Sequence, residues 1–327
     1  MTVVVLSTGG TIMARADPET GKLVPAVGAA ELVEMMGWAD APELVVEEYT
    51  SVPSWELHGE LALGLARRAR EHAARDDVAG VVVPHGTDTM EENVYLADLV
   101  LGAGAGAPVV FTGAQRAASA PNPDGPANLR DAIRLAAAEA ARGRGAMLAF
   151  AGDVHAAREV RKIHTSALHA FDSPGYGPIG HVDGEVVAFQ RRPERRGARE
   201  LGLDPERIEP RVDLVRLYAG VDARFVRAAV ESGARAIVLE ATGRGNANAA
   251  VVEGVREAVA AGVAVVVCSR AAAGRVAPAY GRGGGADLAD AGAVFAGDLA
   301  GPKARILMQL ALGAGVDPAD ALRCEAG

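Results

Sequence analysis

The chain of 327 residues is poor in aromatics (4%) and has only two cysteines, yet half of it is apolar. A core short of aromatics must be filled by Val, Ala and Leu. That suits helices packed closely on a Val-rich sheet and excludes a disordered chain. Basic surplus is missing too: the net charge is −9, which leaves no footprint for nucleic acid or an anionic membrane. No apolar run is long enough to span a bilayer, and "MTVVVLSTGG" has neither the basic start nor the length of a signal peptide. A cytoplasmic protein with free thiols is expected. Cys268, closing "VAVVVCSR", reads as a small buried hydrophobe, and Cys324 as a thiol near the C-terminus. Seven scattered histidines without a C-x-x-C pair give no metal site; His164 and His169, five apart, do not share a helical face. The absence of G-x-G-x-x-G and of G-x-S-x-G argues against a dinucleotide enzyme and a Ser-His-Asp hydrolase.

What is present is alternation. Apolar runs at 3–7, 80–85, 107–113 and 146–152 read as strands, separated by Ala/Leu/Glu/Arg stretches such as "HGELALGLARRAREHAARDD" and "PANLRDAIRLAAAEAARGRG" with helical period. Continuous apolar strands alternating with helices imply a parallel sheet covered on both faces. The length exceeds one typical core, so two domains are expected. The pattern lapses into "QRRPERRGARELGLDPERIEPRV" and then resumes with "VDLVRLY", a helix at 222–233, "RAIVLEATG", a helix at 249–261, "VAVVVCSR" and a final helix in "PKARILMQLALGAG". The expected organisation is an α/β protein with a larger N-terminal parallel-sheet domain at 1–190, a surface linker at 191–212 and a smaller C-terminal α/β domain at 213–327. "GRGGGADL" (281–288) reads as a flexible loop.

Polar clusters sit where strands end, the place at which open parallel sheets bind ligands. "STGGTI" (7–12) follows the first strand, and its two glycines let the backbone turn sharply before Thr11. "HGTDTMEE" (85–92) follows the strand at 80–85. Thr89 and Glu92 match a capping box, and Glu91 and Glu92 suit the positive end of a helix. Capping does not explain Thr87 and Asp88, which fall in the turn itself. Lys162, in "EVRKIHT", is expected in a loop or irregular segment after the fourth strand.

Taken in order, "STGGTI", "HGTDTMEE", "TGAQR" with "DGPANL", and Lys162 in "EVRKIHT" make the chain resemble the bacterial L-asparaginase family along nearly its whole length. "TGGT" alone is weak, but beside "HGTDTMEE" it is specific; "GYGPIG" (175–180) and "GRGNAN" (243–248) add to it. The resemblance implies hydrolysis of L-asparagine to L-aspartate and ammonia without a cofactor. It implies Thr11 as nucleophile, and Thr87, Asp88 and Lys162 as the second catalytic group. A threonine hydroxyl needs a base or a cation to attack. A lysine acts as base only where burial or neighbouring positive charge favours its neutral form, and Asp88 alone works against that. Backbone N–H groups of the two glycine-containing turns would form the oxyanion hole. For the substrate, a small-molecule amide, the resemblance implies Asp88 as partner of the α-ammonium, Ser54 of the α-carboxylate, and the Ala114 carbonyl as contact to the amide. Asn248 would reach a neighbouring subunit's site, since the family assembles as tetramers of intimate dimers. A homodimer or homotetramer with intersubunit active sites is therefore implied, with no nucleic acid, membrane or metal partner.

The chain departs from that pattern at three places. The tyrosine that orients the first threonine in periplasmic members is replaced by Leu23 or Val24, with Tyr49 and Tyr280 as candidate substitutes. The partner subunit's glutamate gives way to Arg282 and Gly283. Trp55 stands beside Ser54, where many members carry glutamine, so it is expected at the carboxylate site. These changes raise a second reading, an amidase shifted toward glutamine, D-asparagine or a peptidyl amide, and a third, a catalytically weak amino-acid-binding protein.

Overall fold

Val-rich strands that are buried on both faces organise the N-terminal half of the computed structural model, which describes all residues except 103–105, 195–199, 202, 204–205 and 327. The chain divides into two compact units, Met1–Gly197 and Ala198–Gly327. Of the linker expected at 191–212, residues 195–199, 202, 204 and 205 lie outside the described residues. Its first residue belongs to the N-terminal unit, because the Arg191 guanidinium grips the Glu159 carboxylate through both nitrogens, at 2.9 and 2.5 Å.

In the N-terminal unit an eight-stranded sheet runs in the order Val186–Phe189, Gly180–Asp183, Asp153–Ala156, Ala146–Phe150, Val109–Thr112, Val78–Pro84, Thr2–Ser7 and Leu44–Glu48. The last five are mutually parallel; four of them carry the expected apolar runs, and the fifth, the edge strand Leu44–Glu48, is not among the expected strands. The first three add an antiparallel edge that the sequence reading does not contain. Helices Gly59–Ala73, Met90–Leu101 and Gly125–Ala137 cross between the parallel strands. Chain order reverses at one point. After Thr2–Ser7 the chain goes to Leu44–Glu48 on one side, then returns to place Val78–Pro84 on the other. The carboxyl ends of Thr2–Ser7 and Val78–Pro84 therefore lie side by side at the switch point of the sheet, the crevice where such sheets take ligands.

The C-terminal unit is a four-stranded parallel sheet, Val212–Arg216, Ala236–Ala241, Ala264–Ser269 and Val294–Phe295, with helices Arg224–Glu231, Ala249–Ala260 and Gly301–Gly313. The flexible loop expected at 281–288 is corrected at its second half: Gly285–Asp290 is a helix, and the Asp287 carboxylate accepts from the Gly283 N–H at 2.6 Å. Cys268 is buried, and burial pushes its thiol up, which makes it inert. The Cys324 side chain lies outside the described residues. Among the described residues, no helix is long and apolar enough to cross a membrane.

Helix Met90–Leu101 is buried on almost every side, so a carboxylate in its middle must find a donor within the protein. Asp98 does so by accepting from the Ala146 N–H at 2.8 Å, which pins the start of strand Ala146–Phe150. Asp98→Ala is expected to destabilise the fold by about 1–3 kcal/mol, because it strands a buried N–H. Asp98→Asn, which keeps an acceptor, should cost less. Urea unfolding of both variants measures the difference, and equal losses would show that the acceptor is not what matters.

Candidate active site

Two turns leave the switch point. The first begins at Ser7 and contains Gly9 and Gly10, at φ +102° and +88°, before one turn of 3-10 helix at Thr11–Met13. Ile12 and Met13 are buried in the core, while Thr11 stays half-buried at the surface of the turn. The second turn begins at His85 and passes through Gly86, Thr87 and Asp88 to the helix starting at Met90. Thr8 laces the two together: its N–H and its hydroxyl both donate to the Pro84 carbonyl, at 3.1 and 3.0 Å. They then touch backbone to backbone. A Cβ at Gly10 would stand 2.4 Å from both the Cα and the N of Gly86, so only glycine fits. This contact places the Thr11 turn against the Thr87–Asp88 turn.

Two further expected residues, Lys162 and Ser54, bond to the second turn. Lys162 Nζ donates to Thr87 Oγ1 at 2.8 Å and to Asp88 Oδ1 at 2.6 Å. Its side chain is 15% exposed, that of Asp88 55%, so the pair lies at the wall of the site rather than in the core. Lys162 is not in a loop as expected: it belongs to the two-residue strand Arg161–Lys162, paired antiparallel with Phe171–Asp172. Ser54 opens a 3-10 turn, and its carbonyl accepts the Thr89 hydroxyl at 2.7 Å. Thr89 does not form its half of the expected capping box. Its hydroxyl oxygen accepts from no N–H of its own helix, and the Glu92 N–H goes to the Thr89 carbonyl at 3.1 Å instead. Trp55, next in the same turn, is 63% exposed. Ala114 is buried at the end of strand Val109–Thr112, where the Asp124 carboxylate accepts from the N–H groups of Gln115 and Arg116 at 3.0 and 2.8 Å. An open cavity of about 340 Å³ is lined by Asp88, Glu91 and Lys162 with Ile163, His164 and Thr165. Thr11, Ser54, Trp55 and Ala114 are not in its lining.

The chain matches two family models: "Asparaginase, N-terminal" over residues 2–195, and "Glutaminase/Asparaginase C-terminal domain" over residues 211–324. The chain belongs to the asparaginase family. It is 33% identical to an L-asparaginase of Bacillus licheniformis, covering 95% of each chain. It is also 33% identical to L-asparaginase 2 of Escherichia coli, covering 97% of this chain and 90% of the relative. A glutaminase-asparaginase of Pseudomonas fluorescens is 33% identical as well, with coverage of 83% and 76%. As a member of the asparaginase family the chain is an amidohydrolase, with two domains of unequal size.

Other residues that the asparaginase resemblance singles out are placed less simply. Thr11 has no hydrogen bond from its hydroxyl to any described residue. Tyr49 does not supply one: its hydroxyl donates to the Leu61 carbonyl at 3.0 Å. Leu23 and Val24, in the tyrosine's place, form an exposed strand of the hairpin Ala14–Ala16 with Leu23–Pro25. Asn248, in the C-terminal unit, caps helix Ala249–Ala260. Its Oδ1 accepts from Val251 N–H at 3.0 Å, and its Nδ2 donates to the Val221 carbonyl at 2.7 Å.

Sequence reading passed over His85, although it heads the most specific motif. The ring is fully buried against Phe111, and its Nδ1–H donates to the Gly86 carbonyl at 2.6 Å. The described residues contain no cis peptide, so holding that carbonyl aims the Thr87 N–H the opposite way. Burial pushes the imidazole down to about 4, against the raising effect of the Gly86 carbonyl, so the ring is neutral at physiological pH. In the unfolded chain the same ring titrates near 6.5. Stability from the neutral ring is therefore complete above pH 6.5 and is lost as pH falls from there through about 4, roughly 3 kcal/mol in all. Between pH 7 and pH 5 the native protein should lose about 2 kcal/mol more than His85→Asn in urea unfolding. Equal losses would assign acid sensitivity to other groups.

Proposed function

We propose that the protein hydrolyses L-asparagine to L-aspartate and ammonia, with Thr11 as nucleophile. The observation that carries this reading is the joining of the Thr11 turn to the Lys162–Thr87–Asp88 cluster through the Gly10–Gly86 contact. The Lys162 ammonium donates into Thr87 Oγ1 and so leaves the Thr87 proton free to point into the site. Thr11 Oγ1 attacks the side-chain amide carbon; its proton passes by way of the Thr87 hydroxyl to the amide nitrogen, which leaves as ammonia. Water then cleaves the resulting ester on Thr11, releasing aspartate and restoring the hydroxyl. Charge on the tetrahedral oxygen falls to backbone N–H groups of the two turns. The Thr87 N–H, turned away from His85 and bonded to no described residue, is one such donor, worth roughly 3 kcal/mol of barrier.

Asp88 supplies the counter-charge for the substrate ammonium, and Ser54, Trp55 and Ala114 its carboxylate and amide surroundings. Asn248 keeps one amide N–H for a neighbouring subunit's substrate, and the assembly is a homodimer or homotetramer. The boundaries 1–190 and 213–327 are our division of the catalytic and C-terminal domains, and the free Cys268 thiol fits a cytoplasmic protein.

A second reading, a relaxed or shifted amidase, is favoured by one feature. The Thr11 hydroxyl lacks the tyrosine's support, and the exposed Trp55 stands where a glutamine would. The Pseudomonas relative, whose name pairs glutaminase with asparaginase, is consistent with it. Ammonia release from asparagine and from glutamine, by the native protein and by Thr11→Ala, decides among these. Thr11→Ala is expected to lower kcat on the preferred amide by at least a thousandfold, a scale set by the loss of covalent catalysis. Full activity in that variant removes Thr11 as nucleophile. Faster turnover of glutamine makes the second reading the better one. A raised melting temperature with asparagine but no ammonia favours an amino-acid-binding protein.

A further inference from the structure

Lys162 sits on a strand of two residues whose ladder partner among the described residues is Phe171–Asp172. That pair stands apart from the eight-stranded sheet that fixes the turn at 85–89. The bonds from Nζ to Thr87 and Asp88 cannot hold the lysine's main chain, because its flexible four-carbon stem lets the backbone drift while the ammonium stays in place. Something else must set how far Lys162 stands from Thr87.

Glu91 does so. Its Oε2 accepts from the Lys162 backbone N–H at 2.5 Å, a charge-assisted bond across 71 positions of sequence. Glu91 belongs to the first turn of helix Met90–Leu101, directly continuous with Thr87 and Asp88, and its side chain is largely buried. A carboxylate in a first turn favours the helix dipole, but that effect asks for neither burial nor a partner on another segment. The lysine is thus gripped at both ends by one stretch of chain: its ammonium by residues 87 and 88, its peptide N–H by residue 91.

We infer that Glu91 is a positioning residue for the proposed amide hydrolysis, holding the main chain of Lys162 in register with the Thr87 hydroxyl. This rests on the catalytic reading above. A displacement of about 1 Å at a reacting group costs on the order of a hundredfold in rate. Glu91→Ala is therefore expected to lower kcat on asparagine by ten- to a hundredfold, with KM within threefold of native. Glu91→Gln, which keeps an acceptor of the same reach without the charge, should restore most of the rate. Hydrogen exchange supplies a readout that needs no activity: the amide of Lys162 should exchange at least tenfold faster in Glu91→Ala and stay protected in Glu91→Gln. If Glu91→Ala fails to fold, Glu91→Asp replaces it, being one methylene short of the N–H, and should lose rate and protection where Gln does not.

Unchanged protection of the Lys162 amide in the truncated variant overturns the inference. So does a kcat within twofold of native, a rise in KM alone, or equal loss in Gln and Ala. A native protein that releases no ammonia from asparagine or glutamine, yet shows the expected exchange pattern, defeats the catalytic reading and leaves the positioning contact standing.

Discussion

The whole site depends on two backbones approaching more closely than any side chain would allow. Gly10 and Gly86 meet at the switch point of the sheet, where a Cβ on either turn has no room. The parallel pairing of Thr2–Ser7 with Val78–Pro84 brings the turns within reach of each other. The Thr8 bonds to the Pro84 carbonyl then set their height. A hydroxyl leaving one turn and a hydroxyl–carboxylate pair leaving the other thus come from neighbouring strands of a rigid sheet, so little ordering remains for substrate binding to supply. Loops would carry the proposed chemistry, on stems held by the sheet's ladder.

Electrostatics at the second turn follow from partial rather than complete burial. An ion pair taken fully out of water seldom repays its desolvation. Lys162 and Asp88 avoid that loss by meeting at the cavity wall, where Asp88 remains half in solvent. The carboxylate therefore keeps lone pairs that can turn toward a cationic group of a ligand. His85 contributes in the opposite way. Fully buried and neutral, it adds no charge to the site and works only as a short donor that fixes one peptide plane.

The legibility of these features in the sequence tracks how local they are. Strands such as Val78–Pro84 announce themselves because burial on both faces demands an unbroken apolar run. The edge strands Gly180–Asp183 and Val186–Phe189 do not, since four half-exposed residues carry no period longer than noise. The turn residues Thr87 and Asp88 stood out because helix capping left them unexplained. The same capping logic misread Thr89, whose proton goes to the Ser54 carbonyl 35 positions earlier in the chain, and it gave Glu91 a sufficient role that hid the actual one. A capping box and a tertiary hydrogen bond draw on identical residue types, and the choice between them is made by which donors and acceptors the fold brings near. Nothing within the local window encodes that.

The same limit bears on how Thr11 becomes reactive. Its hydroxyl bonds to no described residue, the tyrosine position is aliphatic, and Tyr49 is committed to Leu61. A threonine left so has no base of its own, and its proton must travel through whatever lies across the Gly10–Gly86 contact. On the turn across that contact, Thr87 carries a hydroxyl oriented by an ammonium that donates into it. In the proposed hydrolysis the second cluster would perform both activation of the nucleophile and protonation of the leaving nitrogen, which would concentrate catalysis on the Thr87–Lys162 distance. The bonds that bear on that one distance, from the ladder at 161–172 to the carboxylate of Glu91, are what the proposed single proton path would require.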